Sequence, residues 1–120
     1  MEKIPYKITY YETVRGDQPV ALFIDELDKK TQAKIHRYID DLLAVNGPNL
    51  IRPYADIVRG KIRELRVRFS TNTVRILYFF LLNHEIILLH GFLKKTDDIP
   101  SAEIEAAERR MSDWINRHSR

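Results

Sequence analysis

Between residues 61 and 95 the chain holds three strand-forming runs joined by very short links. Lys61 to Phe69, Thr73 to Leu82 and Glu85 to Lys95 are rich in β-branched and aromatic side chains and leucine; only Ser70-Thr71-Asn72 and Asn83-His84 separate them. Links this short join antiparallel neighbours, so the stretch reads as a three-stranded meander. Such a sheet needs a second layer to bury its apolar side.

The flanking segments supply that layer. Residues 4–11 alternate, with Ile4, Tyr6, Ile8 and Tyr10 on one side, which predicts a further strand. Asp17 is a candidate N-cap for a helix with Pro19 in its first turn, and Val20, Phe23, Ile24 and Leu27 share one helical face. Thr31 is the candidate cap of a second helix, on which Ile35, Tyr38, Ile39 and Leu42 repeat the spacing until Asn46-Gly47-Pro48 stops it. Residues 48–60, punctuated by Pro48, Pro53 and Gly60, read as a loop. A last helix follows Pro100, with Ser101 as its cap and an apolar stripe of Ile104, Ala107, Met111, Trp114 and Ile115. Glu103 and Glu105 at its start, with Arg117 and Arg120 at its end, suit the helix dipole. The expected fold is α+β in the order β-α-α-β-β-β-α, an antiparallel meander with helices packed on one face. At 120 residues it is expected to form a single domain, 1–120.

Composition narrows the class. With 44% hydrophobic residues the chain is too apolar for a disordered protein. Its longest apolar run, Ile76 to Leu82, is far below the roughly 20 residues a membrane-spanning helix needs. The N-terminus shows no secretion signal, so a cytoplasmic location with no membrane partner is expected. With no cysteine there is no disulfide scaffold, Cys-based zinc site or thiol nucleophile.

The charge is unevenly spread. Residues 59–95 carry eight basic and two acidic side chains, whereas the whole chain is only +3. A local field of that sign attracts polyanions or an acidic partner. Strand alternation places Glu64, Arg66 and Arg68 on one side of the first meander strand and Arg75, Leu77, Phe79 and Leu81 on one side of the second. In the third, Ile86, Leu88, His90, Phe92 and Lys94 fall together, with Lys95 turned away unless a bulge intervenes. If Arg66, Arg75 and Lys94 share a face, three cations from adjacent strands converge; one slip in register disperses them.

Other chemistries find little support. His36, His84, His90 and His118 show no metal-ligand spacing, so no metal is expected. There is neither a phosphate-cradling glycine loop nor a nucleophile elbow. Glu12 with Asp17, and Asp97 with Asp98, read as solvated carboxylates rather than acid–base pairs. Phe69, Phe79, Phe80 and Phe92 do not match an RNA-recognition-motif sheet.

Three blocks, in order, carry a resemblance: Lys61-Ile-Arg-Glu-Leu-Arg66, Val74-Arg-Ile-Leu-Tyr-Phe79 and Leu89-His-Gly-Phe-Leu-Lys-Lys-Thr96, followed by Pro100 and an amphipathic helix. Together with two N-terminal helices, the chain from Tyr6 to Met111 resembles the HigB-type, phage-derived branch of the RelE/ParE toxin superfamily. Residues 54–60 are individual to this sequence, where the family often has a glycine-containing approach to E-L-R.

The resemblance implies a RelE-like fold and the toxin of a type II toxin–antitoxin system. Such toxins are typically ribosome-dependent endoribonucleases that cut mRNA (mRNA interferases), and a HigA-like helix-turn-helix antitoxin silences them. The complex commonly represses its own operon. Carried over residue by residue, it implies Arg66, Arg75, His90, Lys94 and Lys95 as catalytic candidates; Lys61, Arg63 and Arg68 are candidate RNA contacts beside them. Arg75 is the first choice to hold the scissile phosphate, because a planar fork suits two phosphate oxygens, with Arg66 adding charge beside it. Lys94 or Lys95 is the candidate for proton transfer, with His90 the alternative. No cofactor is needed, since RNA carries its own nucleophile in the 2′-hydroxyl. An antitoxin segment with acidic or apolar residues is expected over the basic face. The alternatives are a ParE-like toxin that inhibits DNA gyrase by binding, and an inactive phage-derived binding protein.

Overall fold

A computed structural model describes residues 4–81, 84–94 and 98–118. Strand β1 (Lys7–Tyr10) is followed by helices α1 (Pro19–Asp25) and α2 (Lys29–Arg37). Helix α2 widens into a π-helical turn, Tyr38–Leu43, and closes through α3 (Ala44–Asn46) and a 3-10 turn, Gly47–Asn49. Strands β2 (Ala55–Arg59), β3 (Ile62–Arg68), β4 (Thr73–Leu81) and β5 (Glu85–Lys94) follow, and helix α4 (Ser101–His118) ends the fold. The five strands form one sheet in the order β1-β5-β4-β3-β2. The arrangement is α+β and compatible with a RelE-like fold.

Strands β2 to β5 are antiparallel, as the short links require, but β1 pairs in parallel with β5. The two-helix crossover carries the chain from β1 past the sheet, which permits a parallel pairing no tight turn can make. The loop expected over residues 48–60 holds a strand instead: Ala55 lies opposite Leu65 and Ile57 opposite Arg63. Its signal was masked because it is five residues long, follows Pro53 and has an irregular register between Ile57 and Arg59.

The helix starts also move. Gln18 and Asp28, not Asp17 and Thr31, occupy the N-cap positions, and neither makes a side-chain cap bond. Asp17 closes a turn with Thr13 instead, through its own N–H to the Thr13 hydroxyl and its carbonyl to the Thr13 N–H. The π turn shifts the apolar stripe by one residue, so Ile35, Ile39 and Leu43 are buried and Leu42 is half-buried. Gly47 (φ 52°, ψ −128°) ends the helical stretch in a conformation that only glycine adopts readily.

Helices α1 and α2 pack on one face, over Val74, Ile76 and Tyr78 of β4 and Ile86 and Leu88 of β5. Helix α4 adds cover on the opposite face, where Ala107 and Trp114 meet Leu77, Phe79, Ile87 and Leu89. The expected single helical layer therefore holds for the α1/α2 pair, and α4 forms a second. The reason lies in β4 and β5, which are apolar on both sides, as strands covered on both faces are.

A bulge in β5 interrupts its alternation. Tyr78 pairs with Leu88 and Leu77 with His90, so Leu89 is the extra residue. Beyond it Gly91 faces α1, and a Cβ built there would lie 2.7 Å from the Phe23 ring. Gly91→Ala is expected to cost about 1–3 kcal/mol through overpacking, read from the urea midpoint at unchanged slope.

Candidate functional site

Register sets the site on the face that carries α4. Three rows cross β3, β4 and β5: Glu64–Leu77–His90, Arg66–Arg75–Phe92 and Arg68–Thr73–Lys94. Strands ~4.8 Å apart span a row in about 10 Å, and rows two residues apart lie ~7 Å from each other. Arg66, Arg68, Arg75, His90 and Lys94 are thereby gathered on one face. The bulge decides this: without the extra Leu89, strict alternation would put His90, Phe92 and Lys94 with Ile86 and Leu88, on the α1/α2 side.

The cations differ in depth. The side chain of Arg75 is only 2% exposed, and its Nη1 donates to Glu64 Oε1 at 2.6 Å. Glu64 is 7% exposed, and the same oxygen lies 3.8 Å from Arg66 Nε, whose side chain is 12% exposed. Glu64 and the two arginines thus form a buried charged floor. Arg68 is exposed and Lys94 is half-buried, so the outer row makes the rim.

His90 is held by α4. Its Nε2 lies 2.6 Å from Glu103 Oε1, and Arg110 Nη1 is 2.9 Å from both its Nδ1 and the Leu89 carbonyl. Arginine has only donors, so Nδ1 accepts and the ring proton sits on Nε2, donated to Glu103. Burial pulls the Arg110 guanidinium below its ordinary value, the cost of seating it beneath the helix.

The other sequence candidates disperse. Arg63 pairs with Tyr78 and so lies on the α1/α2 face, its guanidinium over Phe80 and donating to the Pro48 carbonyl. Lys61 is exposed in the β2–β3 turn. Of the three expected RNA contacts only Arg68 joins the α4 face, because neighbours along a strand point to opposite sides. Lys95 falls outside the described residues. Sequence reasoning named Glu64 as a neighbour of Arg66 without giving it a role, and missed Glu103 and Arg110. Their spacing of seven, bracketing Ala107 on the buried stripe of α4, was the available signal.

Helix α4 is fastened at its other end by Asp113, which accepts from Tyr11 Oη and Arg117 Nη2, both at 2.7 Å. These bonds, Arg117 first and then Tyr11, hold the Asp113 carboxyl below the usual carboxylate range. A depressed acid stabilises fully above its unfolded value of ~4 and loses that contribution as pH falls through the folded value. Asp113→Asn is therefore expected to lower the urea midpoint at neutral pH and to converge on wild type as pH falls below ~4, which flattens the acid limb of a plot of midpoint against pH.

Among the described residues, no three His, Asp or Glu side chains are grouped to hold a metal ion, and no helix is long and apolar enough to cross a membrane. No curated protein matches the chain. The family model described as Phage derived protein Gp49-like (DUF891) matches residues 22–112, which take in the second half of α1, all of α2, the antiparallel strands and most of α4. The chain therefore belongs to the Gp49-like family of phage-derived proteins, a RelE/HigB-type toxin-like family.

Proposed function

We propose that this protein is the toxin of a type II toxin–antitoxin system and that it acts in the cytoplasm as a metal-independent, ribosome-dependent mRNA endoribonuclease. The observation that carries the reading is the convergence of Arg66, Arg68, Arg75 and Lys94 on one face from three adjacent strands. The family supports the toxin class, since Gp49-like proteins are related to RelE-type toxin nucleases.

In the reaction the ribose 2′-oxygen attacks phosphorus and the P–O5′ bond breaks, leaving a 2′,3′-cyclic phosphate and a 5′-hydroxyl. The enzyme must align the attack, offset the charge of the phosphorane and exchange two protons. Arg68 and Lys94 on the rim grip the backbone. Arg66, behind them, meets the non-bridging oxygens. Lys94 delivers a proton to the departing 5′-oxygen, and Lys95, next in sequence, accepts the proton of the attacking 2′-hydroxyl in its neutral amine form. Arg75 takes a different part from the phosphate clamp first assigned to it: sunk against Glu64, it supports Arg66 from below. His90 seats α4 through Glu103, with proton transfer as its alternative role. The partner of this reading is a HigA-like helix-turn-helix antitoxin.

The experiment is primer extension on a message translated in a reconstituted system. New 5′ ends inside codons are expected when ribosomes are present, with none on the free message. Intact message together with inhibited DNA supercoiling by gyrase would replace this reading with the ParE-like one. Intact message, uninhibited gyrase and normal growth on expression would leave a binding protein without toxin activity.

A further inference from the structure

The α1/α2 layer does not cover its whole face of the sheet. At the β2 end lies an open groove of about 490 Å³ between the 48–52 segment and β2, with Leu50, Ile51, Ala55, Ile57 and Arg63 in its lining. A second hollow of about 230 Å³, which shares Ile57 and Arg63, extends it toward Lys61 and Phe80. Ile51 is 70% exposed and Ile57 62% exposed, an unusual outlay of aliphatic surface at one spot. The rim is basic. Arg52 is bound to Asp56, but neither Lys61 nor Arg63 has an ion-pair partner among the described residues.

The edge strand beside this groove is closed to strand addition. The register of β2 on β3 turns the Ala55 and Ile57 N–H groups outward, where a docking strand would meet them. Both are already used: Ala55 donates to the Ile51 carbonyl at 3.1 Å, and Ile57 to Asp56 Oδ1 at 2.8 Å. Arg52 Nε fixes the same carboxylate from its other side at 2.7 Å. Protecting an edge in this way blunts pairing with another chain. An occupant must therefore satisfy its own backbone, as a helix does. Nucleic acid fits poorly, because the exposed surface is aliphatic and the nearby Tyr54 ring packs edge-on against Tyr38.

We propose that the groove spanning Ile51, Ile57 and Phe80 is a docking site for an acidic amphipathic helix of a partner protein. Its apolar residues lie on Ile51 and Ile57, and its carboxylates meet Lys61 and Arg63. The site faces away from Arg66 and Lys94 and stands independently of the nuclease reading.

The test uses the full-length 15N-labelled protein and two synthetic helical peptides. One carries Leu at i, i+4 and i+7 flanked by Glu; in the other every Glu is Lys. The Glu peptide is expected to bind with amide shifts confined to residues 50–63 and 80. Ile57→Glu weakens it by roughly tenfold or more, as loss of a central anchor does. Lys61→Glu weakens it too, and added salt lowers its affinity. Both positions are exposed, so an unchanged melting temperature checks that the variants fold. Equal binding of the Lys peptide, shifts on the α4 face, or displacement by a single-stranded RNA oligonucleotide would overturn the proposal. The same shifts on concentrating the protein alone would assign the groove to a second copy of the chain and overturn it as well.

Discussion

Glu64→Ala is expected to destabilise the protein by about 3–5 kcal/mol, the usual cost of removing one member of a buried ion pair. The expectation rests on depth. Arg75 is 2% exposed and cannot turn to water when the carboxylate 2.6 Å from its Nη1 is removed. Arg66, 3.8 Å from the same oxygen, loses its attraction too, and two guanidinium groups then face each other across neighbouring strands. The apolar double substitution Glu64→Leu with Arg75→Met is expected to cost clearly less than Glu64→Ala, because it removes both charges and keeps the volume. Urea unfolding followed by circular dichroism reads both variants. A Glu64→Ala protein within ~0.5 kcal/mol of wild type, the range of ordinary surface changes, would show that the charged floor is solvated and not a buried pair.

The second large effect concerns cleavage. Arg66→Ala and Lys94→Ala are each expected to slow cutting of translated message by roughly 100- to 1,000-fold, the loss that follows removal of one group stabilising transition-state charge. Arg68→Ala, at the exposed end of its row, is expected to act mainly on binding and its salt dependence, with a smaller change in the rate at saturation. Arg75→Ala is a poor probe of chemistry, since it breaks the floor. Glu64→Gln is better: it keeps the shape, and a fall in rate without loss of fold would mark Glu64 as the residue that positions Arg66. If Arg66→Ala and Lys94→Ala cut at the wild-type rate, the face is not the catalytic centre, whatever the state of the groove on the other side.

Several features were legible residue by residue. The short links Ser70-Thr71-Asn72 and Asn83-His84 dictated an antiparallel meander, since no crossover fits in so few residues. The 3.6-residue spacing in α1 and α2, and Ser101 at the head of α4, marked the helices to within a few residues. Alternation put Arg66 on the same side as Glu64 and Arg68, but only the register of β3 on β4 pairs it with Arg75. Strand β2 was hidden because its five residues follow a proline and carry an irregular register. The π turn was hidden because one inserted residue leaves hydrophobic content unchanged and alters only which leucine points inward.

From the chain alone came the class of fold, the order of the three meander strands β3, β4 and β5 and the concentration of positive charge in residues 59–95, because these depend on neighbours in sequence. Whether that charge forms one site depended on contacts between distant segments. The extra residue Leu89 turns His90, Phe92 and Lys94 onto the face of Arg75, and strict alternation cannot foresee it. The register of β4 on β5 selects that bulge by placing Leu88 under the helices and Leu89 under α4. Burial of Glu64 between two arginines, and the capture of His90 by Glu103 and Arg110, likewise arise only when α4 closes over the sheet. Depth, unlike alternation, is a property of the packed layers, and depth separates Arg66, 12% exposed, from Arg75, 2% exposed beside it.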